Sequence, residues 1–353
     1  MLAARLYGPR NLRVEEAPVP KPPPGWLLLR SIAVGICGTD KAFYTGSYRP
    51  PRLPLVPGHE AVGLVVSAPP GWERLVGRLV VPEINMVPLE EMWREPCRSG
   101  LYIHCPPPVK RTLGIDFDGA LAEYFVAPPH LVHVAEGLEP VEAVYTEPLA
   151  AVLKAFRLRP VEPGDTVLIV GTGALAALAA QVAALQGASK VVVAARRGSR
   201  KRSWFEDKGF KVVDVEELPG AARELGRWGL GFDVVFEATG SPEALRLAVS
   251  AARPRGVVHL KSTHGRPAEL PQTEAVVKEL LLVASRCGEW RDFEEALRLL
   301  RERRVEPPPS RILWGVESAP KAFEEALRGD MFRVIVRTGK TPWELGVPEE
   351  WSP

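Results

Sequence analysis

Short apolar runs separated by helix-length amphipathic or alanine-rich stretches dominate the middle of the chain. Residues 166–170, 190–195, 232–237 and 256–260 are almost continuously apolar, as strands buried on both faces of a parallel sheet are. Residues 174–186, rich in Ala and Leu, and residues 242–252 read as helices between them. Strand and helix alternate, which predicts a parallel α/β sheet. The first 150 or so residues differ. Short β-like runs at 26–34, 60–67 and 78–81 are broken by Pro and Gly, which predicts a compact, irregular β domain. Residues 82–111 show little periodicity and read as a long loop, a feature usually tied to function or to a metal. The character changes near Leu149 and becomes mixed again late in the chain. Helices are predicted at 293–302 and 319–328, a strand at 333–337, and a surface extension over 338–353.

Composition adds a domain count and excludes some partners. A chain of 353 residues is long for one core and suggests two domains. With 45 Lys+Arg against 43 Asp+Glu the formal charge is only +2, so no general nucleic-acid or membrane surface is expected. The first residues lack the basic region and apolar core of a signal peptide, and no apolar run reaches membrane-spanning length; a cytoplasmic protein is expected. The 36 prolines, set against only two asparagines, Asn11 and Asn85, point to a thermophilic source. Four cysteines are too few for a disulfide framework in a chain this size.

A nucleotide site is predicted where the strand 166–170 runs into Gly171-Thr172-Gly173-Ala174-Leu175-Ala176 and then a helix. Gly171 permits the tight turn, Gly173 lets backbone approach a pyrophosphate, and Ala176 allows close helix–sheet packing. The helix N-terminus offers free N–H groups to the anion. The next strand lacks the terminal carboxylate that bonds ribose hydroxyls in NAD enzymes. It ends in Ala194-Ala195 followed by Arg196-Arg197-Gly198. Guanidinium groups match phosphate geometry, so a 2′-phosphate, hence NADP, is expected there, with Ser199, Arg200 and Lys201 as further contacts.

A second constellation lies in the β domain. Gly35-Ile36-Cys37-Gly38-Thr39-Asp40 is followed by Gly58-His59-Glu60, and Glu147-Pro148-Leu149 stands at the domain junction. A thiolate, an imidazole and a carboxylate suit Zn²⁺ with one position left for water or substrate.

Together these motifs resemble the zinc-dependent medium-chain dehydrogenases/reductases over nearly the whole chain. Glu147-Pro148-Leu149 resembles their sorbitol, threonine and archaeal glucose dehydrogenase branch. The resemblance implies a GroES-like catalytic domain from residues 1–153 and 292–353. A Rossmann domain, a doubly wound parallel sheet over 154–291, is inserted between them. It implies one catalytic zinc on Cys37 and His59, bound also by Glu60 and Glu147 directly or through water, with Asp40 accepting from the second imidazole nitrogen of His59 and Thr39 bonding the substrate oxygen. It places Thr239, Leu260, Ser285, Cys287 and Arg333 at the cofactor, Arg333 on its pyrophosphate. Asn85 and Glu123 resemble positions that bind sugar hydroxyls, and serve equally well as structural hydrogen-bonding groups. Lys261 is unusual for its position and either contacts cofactor or substrate or extends to solvent. Ala42 stands where threonine dehydrogenases carry a relay His. The family's structural zinc lobe normally has four cysteines; here only Cys97 and Cys105 remain, so that zinc is expected to be absent, the two thiols being disulfide-bonded or free and His104 a weak substitute ligand. The implied activity is hydride transfer between NADP(H) and a secondary alcohol, polyol or aldose, in a homodimer or homotetramer formed by sheet extension near residues 280–285. A zinc-free NADPH quinone or enone reductase and a non-catalytic NADP-binding sensor are the alternatives.

Overall fold

The structure, a computed structural model, describes residues 1–341 and 344. Two sheets carry the architecture. The chain opens with a hairpin, β1 (Leu2–Gly8) and β2 (Asn11–Glu16), then β3 (Leu27–Gly35) and helix α1 (Gly38–Thr45). β4 (Glu60–Ser67) and β5 (Leu79–Pro82) follow, with a two-residue pair, β6 (Asn85–Met86) and β7 (Arg111–Thr112), around the long loop. β8 (Tyr124–Ala127), β9 (Val132–Val134), the short α2 (Pro140–Ala143) and α3 (Thr146–Leu158) complete this part.

The second sheet then forms by repeated crossovers. In chain order these are β10 (Thr166–Val170), α4 (Ala174–Leu185), β11 (Lys190–Ala195), α5 (Arg202–Asp207), β12 (Lys211–Asp214) and α6 (Leu218–Leu225). β13 (Phe232–Glu237), α7 (Ala244–Ala251), β14 (Ala252–Leu260), α8 (Gln272–Val277) and β15 (Leu281–Ala284) finish it. All its pairings are parallel, in the order β12-β11-β10-β13-β14-β15. With side chains alternating between two covered faces, the central strands read as nearly continuous apolar runs. Val167 and Ile169 of β10 point into the core shared with α3, α4 and α9 (Trp290–Arg301). Leu168 and Val170 point into the opposite core with α6 and α7.

After α9 the chain returns to the first sheet as β16 (Ser310–Trp314), α10 (Ala319–Arg328) and β17 (Arg333–Arg337). β17 lies between β16 and β3, and the sheet runs β16-β17-β3-β4-β5-β9 with β8 also on β3. β3 is therefore shared: its first half pairs with β8, its last residues with β17. One core cluster contains Ile32 and Val62 of the first sheet and Val167 and Phe236 of the second, so α3 and α9 cement the two halves rather than merely linking them.

The strands 166–170, 190–195, 232–237 and 333–337 and the helix 319–328 coincide with the sequence prediction. Two expectations change. The extension from residue 338 lies mostly outside the described residues, and its described start is not superficial: Thr338 donates to Ile32 O, and Thr341 is fully buried. The segment 82–111 is a succession of single helical turns closed by a Cys97–Cys105 disulfide. With Val87, Tyr102, Ile103 and Leu131 this bridge forms a small core of its own, while His104 is exposed and outside the one three-ligand cluster among the described residues.

Candidate active site

The pairing of β3 with β4 assembles the metal-type cluster. Gly35 at the end of β3 lies opposite Glu60 at the start of β4. Cys37, the residue capping α1, and His59-Glu60 therefore meet at one corner of the sheet. Sγ of Cys37, a ring nitrogen of His59 and a carboxylate oxygen of Glu60 all lie within 4.8 Å of one another. Gly35 is required there: a Cβ would sit 2.6 Å from Glu60 Oε2. His59 Nδ1 and Glu60 Oε2 are buried without a hydrogen-bond partner. Such atoms each cost about 1–3 kcal/mol unless something binds them, and a soft thiolate with an imidazole and a carboxylate is a donor set suited to zinc. Burial disfavours the charged form of His59, but the anions of Asp40 and Cys37 outweigh it and raise its pKa well above the usual value.

Asp40 works differently from expectation. It is fully buried, its Oδ2 accepts from Cys37 N at 2.8 Å and its Oδ1 from Gly58 N at 3.3 Å. Its oxygen is 3.8 Å from His59 Nδ1, beyond hydrogen-bonding distance. Asp40 thus clamps the backbones of both ligand loops rather than accepting from the ring. Arg333 is also re-placed. Expected on a pyrophosphate, it is buried beneath the cluster, its Nη2 3.0 Å from Glu60 Oε1 and its Nη1 donating to Ile36 O.

Glu147, expected as a ligand, lies in the first turn of α3 and outside the three-ligand cluster. Burial first, and then the Glu60 charge, push its carboxyl up to about 7 against the opposing pull of His59, Arg333 and Lys261. Thr39 is half-buried in the first turn of α1, two residues from Cys37.

The glycine turn follows the C-terminal end of β10 in the parallel sheet. Gly171 has φ +121°, and a Cβ there would stand 3.0 Å from Ala238 O, so only glycine turns the chain here without strain. Gly173 caps α4, Ala174 and Ala176 are buried, and Leu175 is half-buried. Thr172 Oγ1 meets Ser199 Oγ at 3.2 Å, tying the glycine turn to the arginine turn. Arg196 and Arg197 are both exposed. Arg197 lies 3.3 Å from Asp214, whereas no carboxylate among the described residues lies within 4 Å of Arg196. Thr239 is held by Glu237, whose Oε1 also accepts from Ser262.

Leu260, Lys261 and Ser285 stand at the C-terminal ends of β14 and β15, where open α/β sheets bind ligands. Lys261 does not reach solvent: it is buried and its Nζ donates to Ser285 O and Oγ at 3.0 and 3.1 Å. Cys287 sits in the left-handed region at φ +48°. Burial first and then Glu147 raise its thiol pKa, against Arg286 and Lys261. Two sugar-site expectations find other partners. Glu123 accepts from Leu2 N at 2.8 Å, holding the hairpin edge. Asn85 is buried and its Oδ1 accepts from Arg286, so it joins the disulfide-closed segment to the second sheet. Lys110 was not singled out from the sequence; no spacing marks it, and only the folding of the long loop carries it toward Arg286 and Cys287.

A half-buried thiol beside a buried imidazole and carboxylate, in a chain that also carries a parallel dinucleotide-type sheet, is the pattern of a nucleotide-dependent oxidoreductase. The chain belongs to the zinc-binding, medium-chain alcohol dehydrogenase family: residues 23–136 match the alcohol dehydrogenase GroES-like domain and residues 174–302 the zinc-binding dehydrogenase domain. It is 34% identical to a glucose 1-dehydrogenase of Thermoproteus tenax over 83% of this chain and 85% of that protein. Among solved structures it resembles a zinc-binding dehydrogenase of Sinorhizobium meliloti bound to NADP, at 28% identity and a TM-score of 0.82 over 95% and 98% of the two chains. It also resembles a thermostable alcohol dehydrogenase of Pyrobaculum aerophilum with cobalt and zinc bound, at 27% identity and a TM-score of 0.81 over 96% and 99%. No helix among the described residues is long and apolar enough to cross a membrane.

Proposed function

We propose that this protein is a zinc-dependent, NADP-preferring dehydrogenase that moves a hydride between the nicotinamide and a secondary alcohol, polyol or aldose, or its carbonyl. The observation that carries the reading is the convergence of Cys37, His59 and Glu60 with two buried, unpartnered acceptor or donor atoms. Zinc at such a group supplies a Lewis acid that favours the alkoxide of an alcohol and polarises a carbonyl. Cys37, His59 and Glu60 would hold it, with Glu147, whose carboxyl feels the charges of His59 and Glu60, as a further carboxylate ligand directly or through water. Asp40 fixes the two loops, and Arg333 balances the charge of Glu60. Thr39 Oγ1 holds the substrate hydroxyl and takes its proton toward solvent. The glycine turn with Thr172, Ala174 and Leu175 receives the pyrophosphate. Arg196, without a carboxylate partner among the described residues, binds the 2′-phosphate, with Arg197 beside it. Thr239, Leu260, Ser285 and Cys287 line the nicotinamide end. The cofactor supplies the redox chemistry and the protein supplies position and electrostatics.

Within this reading residues 1–153 and 292–353 form the catalytic domain, residues 154–291 form the dinucleotide domain, and the chain is a cytoplasmic homodimer or homotetramer of thermophilic origin. The test is metal content per chain on the purified protein, measured with NADP and NAD affinities and initial rates on alcohols, polyols and aldoses. One zinc, tighter NADP binding and turnover are expected. Failure to take up zinc on reconstitution, with turnover of quinones or enones, would replace the proposal with a zinc-free reductase; NADPH binding without any turnover would make the protein a sensor.

A further inference from the structure

The segment from Ser285 to Trp290, between β15 and α9, is gripped from three sides. From the end of β14, Lys261 Nζ donates to Ser285 O and Oγ at 3.0 and 3.1 Å. From α3, Ala150 packs so closely that a Cβ on Gly288 would collide with it. The third grip comes from the segment closed by the Cys97–Cys105 disulfide. Arg286 is exposed as a whole, yet its Nη2 donates to Asn85 Oδ1 at 2.9 Å and to Ile103 O at 2.8 Å, on two residues that are themselves buried. Four residues on, Trp290 N donates to Tyr102 Oη at 2.9 Å, and that hydroxyl donates in turn to the buried Glu83 at 2.5 Å.

Each of the last two contacts has a physical reason. Trp290 is the first residue of α9, so its N–H has no acceptor within the helix; the Tyr102 hydroxyl supplies one from another part of the fold. Tyr102 and Ile103 both lie between the two bridged cysteines, inside the small core around the bridge, so the disulfide fixes the two contact points relative to each other. What they help to hold is a strained backbone. Cys287 has φ +48°, a left-handed conformation that a non-glycine residue keeps only where its surroundings over-determine it. Such strain gathers where a backbone is presented to a ligand. This segment follows the C-terminal end of β15, on the edge where open α/β sheets bind ligands.

Resting on the dehydrogenase reading above, we infer that the disulfide-closed segment is a positioning element for the nicotinamide end of the cofactor, with Tyr102 and Arg286 as its positioning residues. It acts through the backbone of residues 285–288 and touches no reacting atom itself. The cross-link between Cys97 and Cys105 then serves cofactor geometry as well as stability.

The experiment titrates the zinc-loaded protein calorimetrically with NADPH and with 2′-phospho-ADP-ribose, which keeps the adenosine and the phosphates but has no nicotinamide. NADPH affinity should fall by about 5-fold or more in Tyr102→Phe, which strands the Trp290 N–H and a buried Glu83 oxygen. It should fall by a smaller factor in Arg286→Met, whose donor group is exposed. Affinity for 2′-phospho-ADP-ribose should stay at the wild-type value in both variants. Ser99→Ala, whose hydroxyl bonds Glu95 at the exposed surface of the same loop, should leave both affinities alone. In the ligand-free Tyr102→Phe protein, amide hydrogen exchange should quicken over residues 285–290 and not over β10. Equal losses for the two ligands would mean a general loosening of the protein and would overturn the inference. So would an unchanged NADPH affinity in Tyr102→Phe, or unchanged exchange over residues 285–290. Wild-type protein that binds neither compound would remove the dehydrogenase reading and the inference together; binding of both, with no split between them in the variants, removes the inference alone.

Discussion

Replacing Arg333 with methionine should destabilise the metal-free protein far more than a surface substitution. Arg333 is buried against an equally buried Glu60 at 3.0 Å. At an effective dielectric constant of about 20 the attraction at that distance is about 5–6 kcal/mol before desolvation is counted. Methionine approximates the aliphatic stem but leaves the Glu60 carboxylate buried with neither of its oxygens paired, since Oε2 has no partner to begin with. Breaking one half of a buried pair typically costs about 3–5 kcal/mol. For 353 residues that loss corresponds to a fall of about 4–7 °C in the thermal midpoint. The assay is thermal and urea denaturation of the metal-free wild type, Arg333→Met, Glu60→Gln and the double variant. The double variant should lose less than the two single variants together, because the stranded charge is gone. Added zinc should narrow the Arg333→Met loss by giving Glu60 a second cation. A change below about 1 kcal/mol in the metal-free protein, or strict additivity, would show that Glu60 does not depend on Arg333 and would sink the charge-balancing argument.

Four further outcomes are expected. Cys37→Ser should reduce zinc affinity and kcat/KM each by more than about 100-fold, since a hard hydroxyl replaces a soft thiolate; full activity after verified metal loss would reject the ligand role. Arg196→Ala should weaken NADP binding by about 10- to 100-fold, the worth of one or two charge-assisted bonds, and leave NAD binding nearly unchanged in the same titration. Cys97→Ser opens a short loop with a sequence separation of 8 and should cost about 2–3 kcal/mol of stability, read as an equal loss on adding reductant to the wild type. Burial holds His259 down to about 4 in its box of Phe156 and Phe236, below the usual value of about 6.5. The unfolded chain therefore takes up that proton first as pH falls. Stability should drop by about 3 kcal/mol between pH 6.5 and 4 on this account, and His259→Leu should flatten that part of a urea-denaturation pH profile.

The parallel sheet was readable because burial on both faces leaves little room for polar positions: residues 166–170, 190–195 and 232–237 are mostly apolar, their charged or hydroxyl residues confined to strand ends and to Asp233. β12 was not, because Lys211-Val-Val-Asp214 is an edge strand with only two inward residues. Helix α1 was hidden inside the Cys37 motif, where glycine and polar residues mask a short amphipathic turn. At the site, residue types were legible but partners were not. Asp40 could be marked as a supporting carboxylate, yet its bonds go to backbone amides whose positions depend on how β3 meets β4. Arg333 and Glu60 lie far apart in the chain, and no local pattern tells a guanidinium whether it will find a phosphate or a carboxylate. Asn85 and Glu123 show the same limit: an amide or carboxylate near a cleft serves sugar or backbone equally well until the neighbours are fixed.

The sharing of β3 between β8 and β17 has a consequence for biosynthesis. Cys37, His59 and Glu60 leave the ribosome early, but the strand bearing Arg333 is made only after the entire parallel sheet. Domains tend to fold as they emerge, N-terminal parts first. The nascent chain holds its thiol and imidazole in an unfinished sheet while the inserted domain folds, and a polypeptide truncated between β4 and β17 carries the donor atoms without the cation that balances them. Completion of translation is thus what completes the site, and prematurely ended chains leave Val34 and Gly35, the β3 residues next to the Cys37 motif, without their β17 partners.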